Sequence, residues 1–180
     1  MFQKILEQVS LALKKHAIEY MIIGGQALLV YGEPRLTRDV DITLGLGAEA
    51  WARIRDLVKQ LKWRVLVESP EAFVKETLVL PCQDPSSGIR IDFIFSFSSY
   101  EREALKRARE ILVGKVPVRF ASAEDLIIHK VVAGRARDLE DVRTILLKNP
   151  QIDRDYIRRW LKEFEDSLSQ PFWQRFQGIS

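Results

Sequence analysis

The stretch Arg35-Leu36-Thr37-Arg38-Asp39-Val40-Asp41-Ile42-Thr43-Leu44 decides how this chain is interpreted. Polar and apolar residues alternate in it, which predicts a β-strand over Val40–Leu44 with both aspartates on one face. A carboxylate in an apolar, strand-forming stretch is costly unless a positive charge lies beside it. Because Asp39 and Asp41 are two residues apart, their Cα atoms should lie about 6.6 Å apart on that face. This spacing suits carboxylates that converge on a pair of divalent metal ions.

A third aspartate and a glycine pair accompany this strand. Asp92 lies in the strand-like run Arg90-Ile91-Asp92-Phe93-Ile94-Phe95, and Gly24-Gly25 follows an apolar strand and opens a short helix. Glycine permits positive φ and lets backbone N–H groups approach a phosphate at a helix N-terminus. Three carboxylates offer only oxygen ligands, which favours Mg²⁺ or Mn²⁺ over zinc. The set predicts divalent-metal nucleotide chemistry, with Asp92 as third ligand and as the base candidate for an attacking hydroxyl.

Length and composition limit the number of domains and the classes of protein that this chain can belong to. The chain has 180 residues, of which 47% are hydrophobic, so we expect one domain with, at most, a small helical appendage. A net charge of +3 neither requires nor excludes a nucleic-acid partner. Cys82 is the only cysteine, which excludes an internal disulfide and a multi-thiolate zinc site. No run approaches the roughly 18 apolar residues of a membrane span, and the N-terminus lacks a signal-peptide apolar region. We therefore expect a cytoplasmic protein that does not contact a membrane.

Hydrophobic periodicity predicts an α/β part followed by a helical part. Helices are predicted at 2–16, 26–31, 48–61, 98–109, 122–133, 136–148 and 153–168, and strands at 17–23, 40–44, 63–67, 77–80, 89–95, 111–113 and 116–120. We expect an α/β core with a mixed sheet over residues 1–120, and a C-terminal helical bundle over residues 121–180 packed on it, with the site in the cleft between them. The aromatic tail around Phe172 and Phe176 is expected either to pack on the core or to contact a partner. Trp63, Phe93, Phe95 and Trp160 are expected in the core.

The order Gly24-Gly25, Asp39-Val40-Asp41 and Asp92 resembles the nucleotidyltransferase superfamily with the DNA polymerase β-like fold. The longer pattern from Gly24 to Asp41, and the run from Lys130 to Asp141, resemble its AbiEii-like branch, which includes toxins of toxin–antitoxin pairs. The resemblance covers roughly residues 17–148. It implies a metal-dependent enzyme that moves a nucleoside monophosphate from an NTP to an acceptor hydroxyl. The implied acceptor is RNA such as a tRNA end, a protein or a small molecule such as an aminoglycoside, and a cognate partner protein is implied as well.

The resemblance also implies roles for individual residues. Asp39, Asp41 and Asp92 are implied as catalytic metal ligands. The implied nucleotide-binding residues are Gly24, Gly25, Gln26, Arg35, Thr37 and Lys130. Gln26 stands where many members carry Ser or Thr, and an amide is a longer and differently aimed donor than a hydroxyl. This replacement leaves open a catalytically degenerate binding or regulatory module.

The residues themselves permit plainer interpretations. Asp39 and Asp41 could be paired with Arg35 and Arg38 at the edge of a loop, the glycine pair could be an ordinary turn, and Lys130 could be an exposed helix lysine. Asp138 and Asp141 are expected to pair with Arg135 or Arg137 and to hold the helical part together. A structural subunit that docks through the aromatic tail is a further alternative.

Overall fold

A computed structural model describes residues 1–96 and 98–179. The strands are β1 (Tyr20–Ile23), β2 (Asp39–Leu44), β3 (Arg64–Val65), β4 (Val79–Gln83), β5 (Arg90–Phe95), β6 (Arg109–Val113) and β7 (Val116–Phe120). The helices are α1 (Phe2–Lys15), α2 (Gly24–Tyr31), α3 (Trp51–Gln60), α4 (Pro70–Thr77), α5 (Ser99–Arg107), α6 (Ala123–Ala133), α7 (Ala136–Lys148), α8 (Arg154–Leu168) and α9 (Phe172–Gln177). A 3-10 turn at Ala48–Ala50 precedes α3. None of these helices is long and apolar enough to cross a bilayer.

One mixed sheet contains the strands, in the order β3-β4-β5-β2-β1-β7-β6. The strand β2, which carries two of the aspartates, lies between β5, its parallel neighbour, and β1, its antiparallel neighbour. Val40, Ile42 and Leu44 on β2 are fully buried. They alternate with Asp39 and Asp41, as the sequence pattern predicts, and the predicted mixed α/β fold is confirmed.

The chain forms two compact units. The first comprises residues 1–26 and 37–121 and contains the whole sheet together with α1, α3, α4 and α5. The second comprises residues 27–36 and the chain from residue 122 onward. In the second unit, α6 is buried almost all round, and Leu126, Ile127, Ile128 and Val131 are fully buried. This makes α6 the centre of the helical unit, where it contacts α7, α8 and α9.

Two helices were not predicted. The helix α4 has a single buried side chain, Val74, so its sequence shows no apolar stripe. It is specified at its start by Pro70 at the first helical position and Glu71 in the first turn. It ends at Leu78, which has a left-handed φ of 59°. The strand predicted at 77–80 consequently begins only at residue 79.

The aromatic tail is the second unpredicted helix. Phe172 and Phe176 are one turn apart in α9 and are exposed by 1% and 0%. They therefore pack into the core of the helical unit, which confirms the first of the two alternatives for the tail. Trp63, Phe93, Phe95 and Trp160 are buried as predicted.

Candidate active site

The three aspartates meet on neighbouring strands. In the parallel ladder between β2 and β5, Asp41 is the register partner of Asp92, and Asp39 is the partner of Arg90. Register partners in a parallel pair point to the same face of the sheet, and so do residues two apart on one strand. The three carboxylates therefore share one face, and each of these residues is partly exposed. The strand register thus brings the three aspartates to neighbouring positions on one face.

Arg90 belongs to this cluster, although the sequence did not suggest a role for it. Its Nε donates a hydrogen bond of 2.8 Å to Asp92 Oδ1, and the two side chains are 52% and 16% exposed. The hydrogen bond to Asp92, together with the negative charges of Asp92, Asp39 and Asp41, raises the pKa of Arg90 against the opposing effect of desolvation. Residues two apart on a strand point to the same face, so the sequence contained the signal for the pair between Arg90 and Asp92.

The chemistry of the donors bears on whether a metal fits. Hard divalent cations take carboxylate oxygens, and the three aspartates offer only such donors. Within residues 1–96 and 98–179, no group of three His, Cys, Asp or Glu side chains is arranged to hold a metal ion together. One oxygen of Asp92 is already bonded to Arg90. The residues thus fit a divalent cation in donor type and strand register, while a guanidinium engages the third carboxylate in this structure.

Both glycines of the pair make room for neighbouring side chains. Gly24 has a φ of +63°, and a Cβ there would overlap the carboxylate of Asp41. A Cβ on Gly25 would overlap the methyl group of Thr37. The helix α2 begins at Gly24 itself, two residues before the predicted start. The Asp41 carboxylate therefore lies against the N-terminal turn of α2, where the helix dipole favours a negative charge.

Gln26 and Thr37 form a buried pair beside these glycines. The Gln26 Nε2 donates a hydrogen bond of 2.7 Å to Thr37 Oγ1. Gln26 is 3% exposed and Thr37 is 9% exposed. The side chain at the position after the glycine pair is thus committed to a protein partner rather than directed to solvent.

Arg35 and Lys130 lie in the helical unit, where one ionic network engages both. The Nζ of Lys130 is 2.6 Å from Asp141 and 3.4 Å from Asp138, and Lys130 is only 5% exposed. Arg35 reaches the same Asp141 at 3.1 Å. The interpretation of Lys130 as an exposed helix lysine is therefore wrong.

The two acidic residues of this network, Asp138 and Asp141, are paired with positively charged side chains. Arg135 pairs with Asp138, as expected, while Asp141 pairs with Lys130 and Arg35 instead of Arg137. Burial opposes ionisation of Asp138, but the hydrogen bond from Arg135 and the charge of Lys130 outweigh it and lower the pKa of that carboxyl group. Both carboxylates are nearly buried, and positively charged partners offset the loss of solvation that burial causes.

Further side chains of α7 hold the segment that leads toward β2. Thr144 accepts a hydrogen bond from the backbone N–H of Glu33, and Lys148 donates to the carbonyl of Gly32 and pairs with the Glu33 carboxylate. Asn149, directly after the helix, donates to the carbonyl of Tyr31. Together with the pair between Arg35 and Asp141, these bonds fix residues 31–35 within the helical unit.

Cys82 is next to the acidic cluster but is chemically inert. It is fully buried on β4, and burial, assisted by the negative charge of Asp92, raises the pKa of its thiol to about 12. A thiol with this pKa is protonated at neutral pH and does not act as a nucleophile.

The chain is similar in sequence to one protein family and in fold to several solved structures. A family model described as "Nucleotidyltransferase of unknown function (DUF6036)" matches residues 1–177. No curated protein sequence matches the chain significantly.

Solved structures share the fold at low sequence identity. The solution structure of the antibiotic-resistance factor ANT(2'')-Ia is 17% identical with a TM-score of 0.64, over 93% of this chain and 94% of that one. A crystal structure of ANT(2")-Ia with adenylyl-2"-tobramycin is 16% identical with a TM-score of 0.63, over 92% and 98% of the two chains. An antigenic nucleotidyltransferase-like protein from Paracoccidioides brasiliensis is 16% identical with a TM-score of 0.58, over 92% and 87%.

Proposed function

We propose, since this chain belongs to the nucleotidyltransferase family DUF6036, that it transfers a nucleoside monophosphate from an NTP to an acceptor hydroxyl. The acceptor oxygen forms a bond to the α-phosphorus, the bond from that phosphorus to the β-phosphate oxygen breaks, and pyrophosphate leaves. The observation that carries the proposal is the register of Asp41 opposite Asp92, with Asp39 on the same face.

The proposed roles follow from where the side chains lie. Asp39, Asp41 and Asp92 would hold Mg²⁺ or Mn²⁺, which when bound neutralises triphosphate charge and activates the hydroxyl. Asp92 keeps one oxygen on Arg90, and its other oxygen is the candidate acceptor of the hydroxyl proton. The backbone N–H groups at Gly24 and Gly25, at the start of α2, would contact the triphosphate. Contacts of Arg35 and Lys130 with the nucleotide are also proposals, and they require the ion pairs of both residues with Asp141 to open.

The class of acceptor has three candidates: RNA such as tRNA, a protein side chain, and a small molecule. The structure of ANT(2")-Ia with adenylyl-2"-tobramycin supports including hydroxyl-bearing antibiotics among the small molecules. A role in a toxin–antitoxin pair with a cognate partner protein rests on the AbiEii-like resemblance alone. It would be tested by growth arrest on expression and relief by the partner.

The first experiment measures incorporation of label from each of the four α-labelled NTPs. Each reaction contains Mg²⁺ or Mn²⁺ and one of bulk tRNA, total protein, an aminoglycoside set or no acceptor. The wild-type chain is compared with Asp39→Asn/Asp41→Asn, and with Asp56→Asn as a control that removes a carboxylate from the exposed face of α3. Label that enters one acceptor class in the wild type and the control, but not in the double variant, supports the proposal.

A non-catalytic binding or regulatory module is the second candidate. It is favoured by the burial of Gln26 against Thr37, which withdraws the side chain after the glycine pair from solvent. Metal-dependent NTP binding separates the two candidates. A folded wild-type chain that neither binds Mg–NTP nor transfers label would favour the module.

A further inference from the structure

The Thr37 hydroxyl has one unused hydrogen-bonding capacity. The Nε2 of Gln26 can only donate, so in the 2.7 Å bond between them Thr37 Oγ1 is the acceptor. The Thr37 O–H is then free to donate in another direction. Among residues 1–96 and 98–179 it has no acceptor for that proton. A buried hydroxyl whose proton has no acceptor is unusual and calls for a ligand or a water molecule.

The position of this hydroxyl is beside the glycine pair. The methyl group of Thr37 packs over Gly25, and Oγ1 lies 3.9 Å from the point that a Cβ on Gly25 would occupy. Gly24, one residue earlier, abuts the carboxylate of Asp41. The hydroxyl therefore lies beside the first turn of α2, next to Gly25, and the preceding glycine abuts the carboxylate of Asp41.

We infer that Gln26 is a positioning residue that aims the Thr37 hydroxyl at a phosphate oxygen of the bound nucleotide, without contacting the nucleotide itself. This inference rests on the proposed function. It reverses the role expected for Gln26 from its place after the glycine pair: Gln26 supplies the support, and Thr37, eleven residues further on, supplies the donor.

Burial and donor geometry separate the two residues. Gln26 is 3% exposed and one of its two amide N–H groups is bonded to Thr37, so turning the amide toward a phosphate would break a buried hydrogen bond. Thr37 needs no such rearrangement, because an O–H and a lone pair of one oxygen serve two partners at once. The bond from Gln26 fixes the rotamer of Thr37 and with it the direction of the O–H.

A double-mutant cycle tests this assignment. Thr37→Val removes the hydroxyl and keeps the methyl group over Gly25. Gln26→Met removes the donor and keeps most of the side-chain volume, and Thr37→Ser is the matched control that retains the hydroxyl. Binding of non-hydrolysable analogues of the four NTPs with Mg²⁺ is measured by calorimetry for the wild type, the single variants and Gln26→Met/Thr37→Val. Circular dichroism checks that each variant is folded.

The expected pattern is specific. A hydrogen bond to a charged group is lost in Thr37→Val, so its Kd should rise roughly 10- to 100-fold. Gln26→Met should raise the Kd in the wild-type background but by less than about twofold in the Thr37→Val background, since its effect passes through Thr37. Thr37→Ser should bind the nucleotide more tightly than Thr37→Val.

Two other results would overturn the inference. Additive effects of Gln26→Met and Thr37→Val would mean that Gln26 acts on the nucleotide independently. An unchanged Kd in Thr37→Val would mean that the hydroxyl proton is taken by water. Failure of the proposed function is a different result, because the wild-type chain itself would then bind no Mg–NTP analogue.

Discussion

Asp41 on β2 and Asp92 on β5 are register partners in a parallel ladder, and Arg90, two residues before Asp92, is bonded to Asp92 on the same face. The acidic cluster is therefore already partly neutralised by the protein. A cation that binds these carboxylates has to compete with a guanidinium for Asp92.

Loss of the carboxylate at position 92 should slow transfer strongly while leaving the fold intact. Asp92→Asn removes the proposed general base, and loss of a general base reduces turnover roughly 100- to 10,000-fold. Single-turnover transfer rates and a urea unfolding curve are the measurements. Asp56→Asn should retain the wild-type rate, and an Asp92→Asn variant with normal turnover would remove Asp92 from the mechanism.

Replacement of Arg90 by methionine should strengthen binding of a metal ion in the absence of nucleotide. The guanidinium that competes for Asp92 is removed, so the affinity for Mn²⁺ should increase several-fold. Stability should change by only about 0–1 kcal/mol because the pair is half-exposed. Mn²⁺ titration followed by electron paramagnetic resonance measures the affinity. Arg64→Met, an exposed change on the edge strand β3, should leave it unaltered.

Removal of the Lys130 amine should destabilise the chain strongly. Lys130→Met leaves Asp138 and Asp141 nearly buried with fewer positive partners, and breaking a buried pair in this way costs about 3–5 kcal/mol. Urea denaturation gives the free energy of unfolding. Arg143→Met breaks an exposed pair with Glu140 and serves as the control, with an expected cost below about 1 kcal/mol. Equal stabilities of the two variants would contradict the structural role of the network.

The same network should make stability depend on pH in the acid range. The pKa of Asp138 is lowered in the folded chain, so its contribution is fully present above the pKa of the unfolded state, about 3.9. It is lost as the pH falls through the lower folded value. Unfolding free energies measured from pH 6 to pH 3 should therefore fall more steeply for the wild type than for Asp138→Asn. Parallel curves would show that Asp138 is not the responsible group.

Cys82 should resist thiol reagents while the chain is folded. Its pKa of about 12 leaves almost no thiolate at pH 8, and the side chain is fully buried. Labelling with a chromogenic disulfide should follow the rate of unfolding and become fast in denaturant. Rapid labelling of the native chain would show that β4 opens locally.

The sequence predicted the acidic strand well, because buried and partly exposed positions alternate on β2 with a period of two. It could not predict that Gly25 leaves space for the methyl group of Thr37, because the two residues are twelve positions apart and meet only in the folded chain. The pair between Arg35 and Asp141 was equally hidden, because it joins residues 106 positions apart. The helix α4 was not predicted because a single buried residue creates no apolar periodicity. The local sequence pattern thus predicted which acidic residues share a strand face, and the tertiary structure determined which ion pairs form.

The contact between Gly24 and Asp41 affects how genetics on this chain should be interpreted. Alanine at position 24 is an obvious choice for testing the glycine pair, and it would force the Asp41 carboxylate to move. An inactive alanine mutant would therefore report a displaced acid as readily as a lost phosphate contact. Titration of the alanine mutant with Mn²⁺ alone would tell them apart: a displaced Asp41 carboxylate weakens metal binding without nucleotide, whereas a lost phosphate contact weakens only nucleotide binding.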